Sequence, residues 1–174
     1  NHRFRGFTLK GAKKELDDYT RIKIDLIEDS AETLGASWKK SYTGSFGMGC
    51  FSFFPTKNIT TTEGGMLTTN NKKRYFEVKK LIAHGINKNK KKYYWHREAD
   101  FPGHNFRLPN HLAALVITQL SKLAQFNKKR KRIAKMYDKF LNKFPNVFTV
   151  QKVGKHLTHS YQMYSCLVKS HYRN

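Results

Sequence analysis

The chain has 174 residues, of which 39% are hydrophobic and 14% aromatic; that is enough apolar material to pack a core, so a wholly disordered chain is excluded and one domain or a piece of a larger one is expected. The formal net charge is +22, yet no apolar run approaches the ~20 residues that span a bilayer. The charge sits in lysine-rich runs such as 87–92 (NKNKKK) and 127–132 (NKKRKR), which attract polyanions but come with no nucleic-acid-reading motif.

In chain order, the start carries basic residues without the apolar stretch of a signal peptide and lacks an initiator Met, so the chain is expected to begin partway through a longer polypeptide. Residues 10–20 read as a short polar helix. Ile22, Ile24, Leu26 and Ile27 read as a buried strand ended by Glu28, Asp29 and Ser30. Acidic side chains at the carboxyl end of a strand lie where α/β sheets bind ligands. Residues 50–54 (CFSFF) and 64–69 (GGMLTT) read as two further strands. Residues 74–85 are helical by period, with Gly85 as the C-cap. A basic loop over 86–104 carries Tyr93, Tyr94 and Trp95.

From Leu112 the apolar period is helical through Leu115, Val116, Leu120, Leu123, Ile133, Tyr137, Phe140, Leu141 and Phe144. That gives one long helix or two in tandem, started at Pro109 and Asn110 and stopped at Pro145. Its basic face reads as solvated. Residues 147–153 and 160–168 alternate like strands of a second layer. The class is α/β. Cys50 and Cys166 lie far apart without metal-ligand spacing, which fits a reducing, cytoplasmic setting.

One lysine stands apart. Lys57 follows the strand at 50–54 through Pro55 and leads into a threonine run and the Gly64–Gly65 pair, which permits a tight backbone path. An apolar, enclosed site penalises an ammonium and makes a lysine nucleophilic at neutral pH. Phe51, Phe53 and Phe54 would supply such a site. By spacing alone, in a chain this basic, Lys57 reads as a solvated surface charge. In the same way, Asp29 and Glu32 read as acidic first-turn residues of a helix, Ser52 as a hydroxyl satisfying backbone groups, and residues 103–110 as a turn and helix start.

Taken together and in order, residues 27–36 (IEDSAETLGA), 44–69 (GSFGMGCFSFFPTKNITTTEGGMLTT), 84–88 (HGINK), 103–123 and 129–141 resemble the DegT/DnrJ/EryC1/StrS family of pyridoxal-phosphate-dependent sugar aminotransferases. The resemblance implies part of a fold type I aminotransferase: a mostly parallel large-domain sheet over 1–110, then a connecting helix and the start of a small C-terminal domain over 111–174. It also implies that Lys57 holds pyridoxal 5'-phosphate as a Schiff base and that Asp29 faces the pyridine nitrogen. Ala31 packs on the ring, Glu32 lies near the 3-hydroxyl where many members have glutamine, and Ser52 bonds the phosphate. Asn105 reaches the phosphate of a neighbouring subunit in a homodimer, and Arg107 shapes the site or binds substrate phosphates. The implied reaction moves an amino group, from glutamate, to a nucleotide-linked keto sugar in cell-surface polysaccharide or deoxyaminosugar synthesis.

The family's glycine-threonine phosphate turn and ring-stacking aromatic are not found here, so these residues alone are expected to be inactive or nearly so. The alternatives are a truncated non-catalytic paralogue and a basic nucleic-acid-binding protein. A dehydratase relative, with histidine in place of the lysine, is disfavoured by Lys57.

Overall fold

In the computed structural model of the chain, residues 25–87 and 93–173 are described; the expected helix at 10–20 and the start of the first strand lie outside them. The central sheet has the order β1 (Ile27–Asp29), β4 (Met48–Ser52), β5 (Gly65–Thr68). β1 and β4 run parallel, with Ile27 opposite Met48 and Asp29 opposite Cys50, and β5 closes on β4 antiparallel. Between β1 and β4 lies a small hairpin, β2 (Ser37–Trp38) and β3 (Ser41–Tyr42), extended by β7 (Leu157–Thr158). Helices α1 (Lys72–Leu81), α2 (Asn110–Leu120) and α3 (Leu123–Leu141) follow, then an antiparallel pair, β6 (Phe148–Val150) with β8 (Cys166–Val168).

The first strand differs from its sequence reading in a way that matters for the site. Ile27, expected in the core, is 63% exposed, whereas Glu28 is 6% exposed. The sheet continues through Glu28 and Asp29 rather than ending at them. The Glu28 carboxylate makes this possible: Oε2 accepts from the Gly44 amide at 2.8 Å, and Oε1 from the Phe46 and Gly47 amides at 2.7 and 2.8 Å. A buried carboxylate so satisfied is a structural anchor. Gly44 is required beside it. Its φ is +83°, and a Cβ there would lie 2.4 Å from Phe51 Cζ.

The core proper is small. Phe53, Ile59 and Val116 are buried, with Leu34, Leu108, Leu123 and Phe126 packed against them. Side chains from β4, the loop after it and both long helices therefore share one cluster, which sets α2 and α3 against the strand ends. The helical run is two helices, broken at Ser121–Lys122, where the Ser121 hydroxyl donates to the Thr118 carbonyl at 2.8 Å. α1 ends at Leu81, short of Gly85. Gly85 nevertheless takes a left-handed φ of +70° and donates its amide back to Lys80 O at 2.9 Å.

Ile133, Tyr137 and Phe140 of α3, and Phe144 just past it, expected on the packed stripe, are about half exposed. The lysines of the basic face are solvated as expected, except that Arg130 turns in and donates to the carbonyls of Tyr161 and Gln162 at 3.3 and 3.1 Å. Residues 160–165, expected as strand, are irregular. No helix among the described residues is long and apolar enough to cross a membrane.

The C-terminal segment carries a pH signature. Tyr164 donates to Asp138 Oδ1 at 2.6 Å; burial first, then that bond, raise its phenol well above the usual range. Tyr161 is raised by burial and then by Asp138, and burial lowers His159. A phenol that keeps its proton longer in the fold than in the unfolded chain contributes stability below its unfolded value of about 10, and this is lost as pH rises further. A histidine held neutral contributes stability above its unfolded value of about 6.5, and this is lost as pH falls through its folded value. Denaturant midpoints are therefore expected to be flat between those limits and to fall on both sides. Tyr164→Phe should lower the plateau by about 1 kcal/mol, one net hydrogen bond, and reduce the alkaline fall.

Candidate active site

The site is built on the carboxyl ends of β1 and β4. Because side chains alternate along a strand and Asp29 is in register with Cys50, Asp29, Cys50 and Ser52 share one face, while Glu28 and Phe51 serve the other. Past Asp29 the chain turns sharply: the Ala31 amide donates to Asp29 Oδ1 at 3.2 Å, and the Ser30 amide donates to Cys50 O at 2.9 Å. The Asp29 carboxylate is thereby aimed outward from the sheet end, exposed, beside the small, half-buried Ala31. Ser52 ends β4, and its hydroxyl accepts from the Phe54 amide at 3.3 Å.

The threonines and glycines after Lys57 are used to hold its loop. Phe53 O accepts from the Thr60 hydroxyl at 2.8 Å and the Thr61 amide at 3.0 Å. Phe53 N donates to Gly64 O at 2.9 Å, so one buried residue closes the loop at both ends. The Lys57 amide donates to Phe54 O at 3.0 Å, and Gln119 of α2 accepts from the Thr60 amide at 3.1 Å. Gly64, with φ +121°, passes so close to Leu108 that a Cβ would lie 2.7 Å from its Cδ1.

Lys57 is covered, its side chain 16% exposed, and Nζ lies 3.1 Å from Glu32 Oε1. The aromatic shelter expected for it is corrected here. Phe53 is in the core, Phe51 packs on Gly44 and Phe54 is exposed, so the amine's partner is a carboxylate across the cleft from the β1 loop. An ion pair with one half-exposed partner contributes at most about 1 kcal/mol, so it orients Nζ without locking it there.

Asp29, Ala31, Glu32, Ser52 and Lys57 are thus gathered at neighbouring strand ends. Asn105 and Arg107 are not among them. Residues 104–106 are strapped to the end of α1 by three bonds: His84 N to His104 O, His104 N to Leu81 O, and Phe106 N to Ile82 O. There the exposed Arg107 donates from Nε to Asn105 Oδ1 at 3.2 Å.

Four residues of consequence escaped the sequence reading: Glu28, Asn58, Asn127 and Ser160. Asn58 and Ser160 are buried, and Asn58 Nδ2 donates to Asn127 Oδ1 at 2.6 Å and to Ser160 O at 3.0 Å. Asn58 stands within the quoted block beside Lys57; its partners, 69 and 102 residues away, left no local signal.

The mixed α/β architecture matches solved aminotransferases over most of the chain. The Helicobacter pylori aminotransferase PseC, involved in the biosynthesis of pseudoaminic acid, superposes with a TM-score of 0.82 at 28% identity, over 94% of this chain and 43% of its own. The model of the DegT/DnrJ/EryC1/StrS aminotransferase family matches residues 14–174, and the chain belongs to that family. GDP-perosamine synthase of Escherichia coli O157:H7 is 37% identical over 146 residues, 83% of this chain and 38% of that protein. The UDP-4-amino-4,6-dideoxy-N-acetyl-beta-L-altrosamine transaminase of Campylobacter jejuni serotype O:23/36 is 35% identical over 163 residues, 91% of this chain and 42% of that protein. The chain spans about two-fifths of the length of these curated relatives.

Proposed function

We propose that this chain is the central part of a pyridoxal-phosphate-dependent sugar aminotransferase. On this reading residues 1–110 belong to the cofactor-binding domain, and residues 111–174 form the connecting helices and the start of a small domain. The observation that carries the reading is the covered Lys57 amine, in the loop after β4, paired with Glu32 in the loop that follows the Asp29 end of the neighbouring strand β1. The donor set fits the cofactor: an amine for its aldehyde, a carboxylate for its ring nitrogen, a small side chain beside the ring and a hydroxyl for its phosphate. When bound, pyridoxal phosphate supplies the aldehyde and an electron-accepting ring.

The chain's own residues do the rest. Lys57 Nζ holds the cofactor between turnovers and, once freed by the incoming amine, takes and returns the proton at the reacting carbon. The Asp29 carboxylate would keep the ring nitrogen protonated by charge pairing, which would favour loss of the proton on the reacting carbon. Glu32, already 3.1 Å from Nζ, orients the amine when it is free. Ser52 binds the phosphate. Asn105, held at the end of α1, reaches the phosphate of a second copy in a homodimer, and Arg107 shapes the site or binds substrate phosphates. The amino donor is glutamate, the acceptor a nucleotide-linked keto sugar, and the setting cytoplasmic.

The reading is tested with the full-length protein, the chain extended to the length of its relatives. Reconstituted with pyridoxal phosphate, it is expected to show a visible absorption band that glutamate bleaches with release of 2-oxoglutarate. Asp29→Asn should slow that bleaching by about 10²-fold or more, within the range of removing a group that stabilises charge at a reacting centre. A full-length protein that develops no band overturns the reading.

A further inference from the structure

The ion pair between Lys57 and Glu32 is flanked, on both sides, by one buried scaffold from the far end of the chain. Ser160, 1% exposed, donates its hydroxyl to the Glu32 carbonyl at 3.1 Å, and its own carbonyl accepts from Asn58 Nδ2 at 3.0 Å. One residue therefore binds the backbone of the acid and the neighbour of the lysine. Asn127 on α3 repeats the pattern: Oδ1 accepts from Asn58 Nδ2 at 2.6 Å, while Nδ2 donates to Leu34 O at 3.1 Å in the loop after Glu32. Gly35 takes φ +82° there, and a Cβ would come within 2.4 Å of Asn127 Nδ2, so the close approach of α3 requires glycine. Gln162 adds a bond from Nε2 to Thr56 O at 3.0 Å, on the other side of Lys57.

We infer that Asn127 and Ser160 are positioning residues that set the Lys57 amine against Glu32, through Asn58 on one side and the residue 32–35 loop on the other. The physical basis is that each buried amide or hydroxyl is satisfied only when both loops occupy one relative position. A shift of either loop strands a buried donor or acceptor, at a cost greater than the weak ion pair itself could resist. The scaffold comes from α3 and the segment before Tyr161, so the C-terminal part of the chain holds the reacting group of the strand-end site. This rests on the proposed function for its catalytic meaning, but the placement of the amine is measurable without cofactor.

The experiment uses the full-length protein freed of pyridoxal phosphate, with competitive acylation by acetic anhydride and mass spectrometry of each lysine peptide. Lys57 should be labelled several-fold more slowly than the exposed lysines of α3. Asn127→Leu and Ser160→Ala should each raise its labelling toward theirs. Asn127→Asp, which keeps the acceptor for Asn58 but sets an oxygen against the Leu34 carbonyl in place of the donor, should raise it as well, through the residue 32–35 side alone. Tyr164→Phe, which loses a hydrogen bond of comparable worth to Asp138 elsewhere in the same packing, should leave Lys57 labelling unchanged. In the reconstituted protein, the dissociation constant for pyridoxal phosphate should rise about fivefold in Asn127→Leu, the equivalent of about one net hydrogen bond, and stay constant in Tyr164→Phe. Unchanged Lys57 labelling in both Asn127→Leu and Ser160→Ala would overturn the inference, and so would an equal rise in Tyr164→Phe. Failure of the unsubstituted protein to bind pyridoxal phosphate would instead overturn the proposed function and leave the labelling comparison to stand or fall by itself.

Discussion

Lys57→Ala in the full-length protein is expected to abolish the visible band and lower kcat by about 10³-fold or more. Two losses combine. The side chain that condenses with the aldehyde is gone, and so is the base that moves the proton, a role worth 10²–10⁴-fold on its own at typical magnitudes. The fold should persist, since among the described residues Nζ makes one ion pair, with Glu32, worth at most about 1 kcal/mol. The backbone bonds of the loop, from Thr60, Thr61 and Gly64 to Phe53, do not involve the side chain. Rate measurements with glutamate and a nucleotide-linked keto sugar, beside a denaturation midpoint, separate the two effects. A variant with near-normal rate would contradict the role. A variant with a collapsed midpoint would show that Lys57 is structural.

The largest effect on stability is expected from Glu28→Ala, at about 3–5 kcal/mol. The carboxylate accepts three backbone amides, those of Gly44, Phe46 and Gly47, and leaving a buried donor unmade costs about 1–3 kcal/mol each. The sum is held below three full penalties because the environments of Phe46 and Gly47 are only part-buried and admit water. Against the 5–15 kcal/mol typical of a folded protein, this is a large share. Glu28→Gln should fall between, since its carbonyl still accepts while its amide group faces a donor. The denaturant midpoint should drop with little change in slope. Because Asp29 is the next residue on the same strand, cofactor affinity should fall with it. A loss below about 1 kcal/mol would show that the 44–47 turn holds itself.

The contrast between these residues explains what could be read from the chain. The tight loop that carries Lys57 was legible because it is written locally: a strand before it, then proline, threonines and the glycine pair, which in the structure become the loop closed on Phe53. β4 and β5 were legible from apolar runs bounded by turn residues. Glu28 was not, since its partners are backbone amides 16 to 19 residues onward, and amides leave no mark in a sequence. The same holds for Asn127 and Ser160. The stretch 160–168 alternates like a strand, but its first half is taken up by Ser160, Tyr161 and Gln162 bonding to Glu32, Asn58, Arg130 and Thr56. Two-residue strands such as β2, β3 and β7 are too short to carry a period. Two helices in tandem were one of the two readings, but the place of the break was not legible, because the apolar spacing continues across Ser121 and Lys122.

The aromatic shelter failed for a related reason. Alternation places Phe51 on the face opposite Ser52, where Gly44 leaves room for its ring, and Phe53 is drawn into the cluster with Ile59 and Val116. The amine is covered by the approach of two loops instead, with a carboxylate as its partner.

The most direct measurement is to reduce the pyridoxal-phosphate form of the full-length protein with borohydride, digest it and locate the modified peptide by mass. The account predicts a single stable phosphopyridoxyl group on Lys57, lost in Lys57→Ala. Modification spread over the surface lysines, or fixed on a different lysine while Lys57 stays free, would contradict it.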